Sequence, residues 1–253
     1  MLLGELDQFL NLTLDIPRLS SIDASLNGLQ VSRTNQEIRR VACAVDASME
    51  TFKRAATVEA DLLFVHHGLF WGASSALRRS HYSRVRFLIE SELALYAVHL
   101  PLDLDESYGN NVQMAKRLGL AEIEPFGEYR GVKIGFKGRF PSPASIEDVL
   151  DLLRFDRGSC TATIPSGPAR SSTVGIVSGG GTHEVEQAVS EELDLYITGD
   201  ATHTMYHYCL EESINLLCAG HYQTETFGVR AIGELIQKET DIETTFIDVP
   251  TGL

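Results

Sequence analysis

The segment VACAVDASMETFKRAATVEADLLFVHHG, residues 41–68, decides the fold. A short apolar run rich in β-branched residues (41–45) gives way to an amphipathic stretch (48–58). A second apolar run (62–65) then ends in two adjacent histidines, His66 and His67. Short continuous apolar runs flanking an amphipathic stretch describe a β-α-β unit with parallel strands. The same alternation continues along the chain. Further apolar runs fall at 93–98, 132–136, 173–177, 194–198, 214–219 and 244–249. Helical patterns lie between them near 83–91, 110–118, 145–154, 183–192, 204–212 and 226–238. The fold class expected is α/β with mainly parallel sheets.

A second segment, VGIVSGGGTHEVEQAVSEELDLYITGD from Val174, has the layout of the first. Shifting the first by 133 positions superimposes strand, helix and the Asp before the second strand, Asp61 onto Asp194, and places His67 on Asp200. The strands that follow match at a shift of 122, which places His99 on His221 and Asp103 on Glu225. Identity between the halves is low, so a duplication and a repeated β-α-β pattern both remain open. Either way two similar α/β lobes facing each other are expected, 1–126 and 127–253, with the turn-rich stretch 124–131 as the boundary. The C-terminal segment is left free to return to the first lobe.

Bulk properties narrow the function. The 253 residues carry 35 Asp and Glu against 21 Lys and Arg, a net charge of −14. Such a surface repels phosphate backbones, which argues against extended nucleic-acid binding. It is compatible with small ligands drawn to a local positive centre. The N-terminus reads as an amphipathic helix rather than a signal peptide, since it lacks a basic leading region. No apolar run approaches the roughly 18 residues of a membrane span. Four cysteines without a C-x-x-C pair are expected as free thiols of a reducing, cytoplasmic environment.

In a parallel sheet, ligand-binding groups gather beyond the carboxyl ends of the strands. Four runs deliver histidine or acid there: His66 and His67; His99 and Asp103; Asp200; His221 and Glu225. Each alone has an ordinary explanation, as a hydrogen-bonded loop histidine, a helix cap or a carboxylate favoured by a helix dipole. Together they form a set of imidazoles and carboxylates suited to Zn, Fe or Mn. Five ligands exceed one catalytic zinc but serve two divalent ions sharing a carboxylate, each of the paired histidines taking a different ion.

The motifs VHHGLFW (65–71), HLPLD (99–103), TGD (198–200) and GHYQTE (220–225), with NGLQV (27–31) upstream, resemble the YbgI-type, or Nif-three-like, proteins, many of them labelled GTP cyclohydrolase type 2 homologues. The resemblance extends to TTFIDVP near the C-terminus. It implies a dinuclear metal centre between two interlinked α/β lobes, in a ring-shaped homohexamer. By motif the ligands would be His66, His67, Asp103, His221 and Glu225, with Glu225 bridging. His99 would line the site as a proton carrier, and Asp200 would assist it. HLPLD stands where many relatives have HTNLD, leaving a more apolar wall. The function implied is a metal-dependent hydrolase of a nucleotide-like or other small substrate. The alternative is a non-catalytic, ring-forming metal protein. The internal repeat pairs His99 with His221 and so offers His99 as a ligand instead.

Other features are weaker. SGGGTHE (178–184) reads as a tight strand-to-helix turn with some prospect of touching substrate; it lacks the P-loop Lys-Ser/Thr. His203 and His207, four apart on a helix, read as surface or supporting residues. Phe70 and Trp71 read as packing at the rim, with a base-stacking platform left open.

Overall fold

The computed structural model describes residues 1–253. Along the chain run α1 (Leu3–Leu14), β1 (Gly28–Val31), β2 (Arg40–Asp46), α2 (Met49–Thr57), β3 (Leu62–His67), α3 (Arg79–Glu90), β4 (Ala94–Ala97), α4 (Leu100–Leu104) and α5 (Asn110–Arg117). There follow β5 (Ala121–Tyr129), β6 (Val132–Ala144), α6 (Ile146–Leu153), β7 (Ala162–Pro165), β8 (Ser171–Ile176), α7 (Val185–Ser190), β9 (Leu195–Thr198) and α8 (Met205–Glu212). The last elements are β10 (Asn215–Cys218), α9 (His221–Thr224), α10 (Thr226–Glu239) and β11 (Glu243–Phe246). No helix is long and apolar enough to cross a membrane.

Two compact units result. The first comprises Met1–Leu102 with Val229–Val249, the second Asp103–Gly228 with Pro250–Leu253. The stretch 124–131, expected as a boundary, runs within β5 and its turn into β6.

The first unit holds a five-stranded sheet in the order β1-β4-β3-β2-β11. β11, β2, β3 and β4 are mutually parallel, and β1 lies antiparallel on β4. The middle strands are apolar along their length because both faces are covered; β4 is buried at all four residues. Ser48 caps α2 by accepting from the Thr51 amide at 3.2 Å, and the helix buries Phe52 and Ala55. Phe52, Leu63, Val65, Leu88 and Leu95 form the core with them.

The second unit holds a six-stranded sheet in the order β5-β6-β8-β9-β10-β7. Here β8, β9 and β10 are parallel, with β6 and β7 antiparallel on either side. Its core includes Leu150, Val174, Ile176, Leu195, Ile197 and Leu217. Cys43, Cys209 and Cys218 are buried free thiols, and Cys160 is a half-buried one. Burial pushes the Cys43 and Cys218 thiols up to about 12.

The two units repeat one topology. β1-β2-α2-β3-α3-β4 and β7-β8-α7-β9-α8-β10 give the same strand order, and both place an antiparallel edge strand on the last parallel one. A shared clamp sets the register. Asp61 Oδ2 accepts the Arg39 and Arg40 amides at 2.8 and 2.9 Å. Asp194 Oδ2 accepts the Ser172 and Thr173 amides at 2.7 and 3.2 Å, all three positions being offset by 133. The later strands correct the sequence alignment by one residue. β3 pairs Val65 with Ala97 and β9 pairs Thr198 with Cys218, so β4 maps onto β10 at a shift of 121, not 122. His99 therefore corresponds to Gly220, and His221 to Leu100, the first residue of α4. The short strands carried too few residues to fix the register from sequence.

Asp61 also pairs with the Arg33 guanidinium. Burial works against its ionisation, but the Arg33 hydrogen bond and the Arg39 and Arg40 amides outweigh this and hold its pKa below the ordinary 3.8. A carboxylate with a depressed folded pKa contributes stability above its unfolded value and loses it as pH falls through the folded one. Asp61→Ala should cost about 1.5–3 kcal/mol near neutral pH, the range for a hydrogen bond to a charged group. In urea unfolding the gap between wild type and variant should begin to narrow as pH falls below the unfolded carboxylate value of about 3.9 and close as it falls through the lower folded one, where the native carboxyl takes up its proton. A gap independent of pH would contradict the ionised clamp.

Candidate metal centre

In the first unit the strand ends bring three imidazoles together. His66 and His67 end β3, and His99 follows β4. One ring nitrogen from each lies within 4.8 Å of the others. The ring centroids are 4.7 Å apart for His66–His67, 5.1 Å for His66–His99 and 5.7 Å for His67–His99. Each ring has an oxygen on Nδ1. His66 Nδ1 is 3.0 Å from the Val98 carbonyl, His67 Nδ1 is 2.8 Å from Asp46 Oδ1, and His99 Nδ1 is 2.9 Å from Asp23 Oδ1. A carbonyl can only accept, so Nδ1 of His66 carries the proton and Nε2 the lone pair. The carboxylates favour the same tautomer in the other two. That is the state in which a histidine ligates a metal, with the outer partner fixing the ring.

Asp23 is the most elaborated of these partners. Its side chain is 1% exposed. It accepts from the Ser25 amide, the Asn27 side chain and the Leu100 amide at 2.8–3.0 Å. Burial raises its pKa, yet the hydrogen bond and charge of His99, with Asn27 and Ser25, bring the net value below the ordinary range. Asn27 Oδ1 also accepts the His99 amide at 2.8 Å, so the 23–27 segment holds both ends of His99.

In the second unit His221, at the start of α9, lies between two carboxylates. Its Nδ1 is 3.0 Å from Asp200 Oδ2 and its Nε2 is 3.1 Å from Glu225 Oε1. The Glu225 side chain is 4% exposed, that of Asp200 44%. Burial alone would pull the imidazole down, but the hydrogen bond and charge of Glu225, then those of Asp200, raise its pKa to about 10. The field at this spot thus stabilises positive charge. Two ligand atoms about 2.0–2.2 Å from one tetrahedral ion stand roughly 3–3.5 Å apart, a span that the Nε2–Oε1 pair meets.

Asp103, on α4, is buried. Its Oδ1 accepts from Asn110 Nδ2 and Ser178 Oγ, each at 3.0 Å. Asn110 is fixed in turn by the Gly228 amide at 2.7 Å. Supported carboxylates of this kind are oriented acceptors rather than helix caps.

The glycine turn belongs to this site. Gly179 has φ +61°, and a Cβ there would stand 2.2 Å from Glu225 Oε1 and 3.1 Å from His221 Nε2. Its carbonyl accepts the Gly199 and Asp200 amides at 2.9 Å, and its amide donates to Thr224 Oγ1 at 3.0 Å. The turn ties the end of β8 to the ends of β9 and β10. The SGGG run marked a turn; its contact with the carboxylates needed the fold. His203 and His207 are exposed on and beside α8 and stand outside both donor groups.

Sequence reasoning missed Asp23, Asp46, Asn110 and Ser178. Asp46 had a signal, being the last residue of VACAVD and thus also at a strand end. Asp23 lies in SSIDASLNG, which has no periodicity to read.

The fold and these donors define a class: α/β proteins built from a repeated unit with histidine–carboxylate groups at the strand ends. The chain belongs to the Duf34/NIF3 (NGG1p interacting factor 3) family, whose model matches residues 1–252. It is 42% identical over 231 residues to a GTP cyclohydrolase 1 type 2 homolog of Deinococcus radiodurans, covering 91% of this chain and 88% of that protein. With the protein of the same name from Archaeoglobus fulgidus it shares 40% over 253 residues, all of both chains. Among solved structures, the protein ybgI, described as of unknown function, aligns with TM-score 0.90 and 30% identity over the whole of both chains. A protein of Thermus thermophilus aligns with TM-score 0.87 and 38% identity, again over both chains.

Gly179→Ala should push Glu225 off its position and weaken divalent-metal binding by at least tenfold in calorimetric titration. Gly180→Ala is the control, since its Cβ would meet nothing nearer than Asp200 Oδ2 at 3.5 Å, an ordinary contact. Equal metal affinity in both variants would remove the glycine turn from the site.

Proposed function

We propose that the chain is a metal-dependent hydrolase whose two donor sets serve one dinuclear divalent-metal centre, acting on a nucleotide-like small molecule. The observation that carries this reading is the grouping of oriented donors at strand ends: an oxygen stands on Nδ1 of His66 and His67, and His221 lies between the Glu225 and Asp200 carboxylates. Isolated structural histidines have no need of such partners. His66, His67, Asp103, His221 and Glu225 would hold two ions of the Zn, Fe or Mn kind. Two such ions, when bound, lower the pKa of water and polarise the bond under attack.

The chain's remaining groups handle protons. His99 has the buried Asp23 carboxylate on Nδ1, so Nε2 can take up a proton while Asp23 stabilises the cation formed. Asp200 orients His221 and, being half exposed, passes protons toward solvent. The name GTP cyclohydrolase 1 type 2 homolog borne by relatives supports a purine as substrate. Hydrolytic opening of its imidazole ring adds water across a C–N bond and delivers a proton to the departing ring nitrogen, the proton transfer this reading assigns to His99.

Elemental analysis of the reconstituted protein should give two divalent ions per chain, and incubation with GTP should show metal-dependent turnover. Glu225→Ala should lose both ions and all turnover. His99→Ala should keep the ions and lose on the order of 10²–10⁴-fold in rate, as for a general acid or base. Loss of an ion on His99→Ala, with both retained on Glu225→Ala, would make His99 a ligand and refute the shared carboxylate. Metal binding without turnover of any nucleotide or phosphoester would favour a non-catalytic metal protein.

The assembly is a closed ring, a homohexamer, as the family resemblance implies. Light scattering at micromolar concentration should return six times the chain mass of 27.9 kDa. A stable monomer would refute it.

A further inference from the structure

Beside the three imidazoles of the first unit lies a surface that none of the chemistry above uses. Trp71 is 40% exposed. Its ring packs edge-on against His99 with centroids 4.9 Å apart, and stands 6.1 Å from His67. It is held rigidly. Trp71 Nε1 donates to the Gly68 carbonyl at 2.9 Å, and the flanking residues bond to the 24–26 segment through Leu26 N–Phe70 O and Gly72 N–Ala24 O. An indole that is fixed, half exposed and in contact with a histidine of the donor group offers a flat face to anything bound there.

A concentration of positive charge follows it in the sequence. From Gly68 to Ile89 the sequence has no Asp or Glu but four arginines, Arg78, Arg79, Arg84 and Arg86, in a chain of net charge −14. Arg86 is paired with Glu90. Arg78, Arg79 and Arg84 make no ion pair with any carboxylate, although acidic residues outnumber basic ones by 35 to 21. Arg78, His81 and Arg84 follow at three-residue spacing and share one stripe of α3 and its start. That stripe faces the motif loop, since the His81 ring stands edge-on to Phe70 at 5.3 Å. Arg84 Nε and His81 Nε2 are enclosed without a hydrogen-bond partner, so the stripe has donor capacity that the protein does not satisfy.

We infer that Trp71 and the arginines of the 78–84 segment form the substrate-recognition surface, the indole stacking on a planar heteroaromatic ring and the arginines holding its phosphate chain. This deepens the hydrolase reading and rests on it: the ligand class becomes a nucleotide rather than a free base or an uncharged ester. Base–indole stacking is sequence-tolerant, because every base presents a π-face. Guanidinium groups bind phosphate bidentately, and a local cationic surface on an acidic protein steers anions to one place. Trp71 and the arginines are specificity-determining residues here and take no part in proton transfer.

Trp71 is the only tryptophan of the chain, so emission reports on this surface alone. Titration of the full-length, metal-loaded protein with GTP should quench Trp71 emission along a saturable curve. Guanosine should need at least tenfold higher concentration for the same quenching, and inorganic triphosphate should compete without quenching. Arg78→Glu combined with Arg79→Glu, both exposed and outside the core, should bring GTP to the affinity of guanosine and remove its salt dependence. Arg84→Gln should give a smaller loss in the same direction. By calorimetry Trp71→Ala should weaken GTP at least tenfold, and Trp71→Phe should recover most of it. The inference is overturned if calorimetry detects GTP bound with emission unchanged, or if the double arginine variant binds GTP as wild type does. Nucleotide hydrolysis that survives both the arginine and the Trp71→Ala changes refutes this surface and leaves the hydrolase standing. Quenching by GTP in a protein that binds no metal refutes the hydrolase and leaves the surface standing.

Discussion

One aspartate before the second parallel strand holds three strands in register. The Asp61 carboxylate takes the amides at the start of β2, and its own carbonyl takes the Ala94 amide at the start of β4, at 3.0 Å. Asp194 repeats this, with its carboxylate on Ser172 and Thr173 and its carbonyl on the Asn215 amide at 3.1 Å. Parallel strands slip by one residue at the cost of turning every side chain to the other face. An anchor at the amino ends is therefore felt at the carboxyl ends, where the imidazoles and carboxylates stand. Short strands of four to seven residues have little else to fix them.

The consequence reaches the ring nitrogens. His66 is oriented by the Val98 carbonyl, which belongs to the backbone just beyond β4. That carbonyl is where it is because β3 and β4 are paired from Leu62–Ala94 to Val65–Ala97, and because the Val98 amide bonds to the Val65 carbonyl at 2.9 Å. His67 depends likewise on Asp46, its partner across the β2–β3 ladder. The tautomers that suit these histidines to a metal are thus a product of sheet register rather than of local loop geometry.

This explains what the sequence discloses and what it hides. Apolar runs and 3.6-residue periods reveal β2, β3, β4, β8, β9 and β10 because buried parallel strands cannot be polar. The Asp61–Asp194 correspondence is visible because the clamp lies at equal distances from both flanking strands. The one-residue error that set His99 against His221 arises beyond β3, where the helices of the two units differ in length and four-residue strands offer no further landmark. Asp23 was hidden for another reason. It acts across 76 residues of sequence, and its surroundings are turns whose polar residues carry no period. Gly179 was visible as a turn but not as the empty space that Glu225 fills. A missing Cβ has meaning only against a neighbour brought in from the far end of the unit.

The two donor sets differ in kind, and the difference bears on which cations each could hold. The first unit contributes imidazole nitrogens alone in its group of three. The second contributes His221 beside two carboxylates, with Asp103 held separately by Asn110 and Ser178. Calcium and magnesium take oxygen ligands, and magnesium gives up its waters reluctantly, so a group of imidazole nitrogens is a poor host for either. Borderline ions such as Zn, Fe and Mn accept nitrogen readily, and carboxylates offset their charge. In a mixed set such as that of His221, Glu225 and Asp200, nitrogen would provide selection and the carboxylates charge neutralisation.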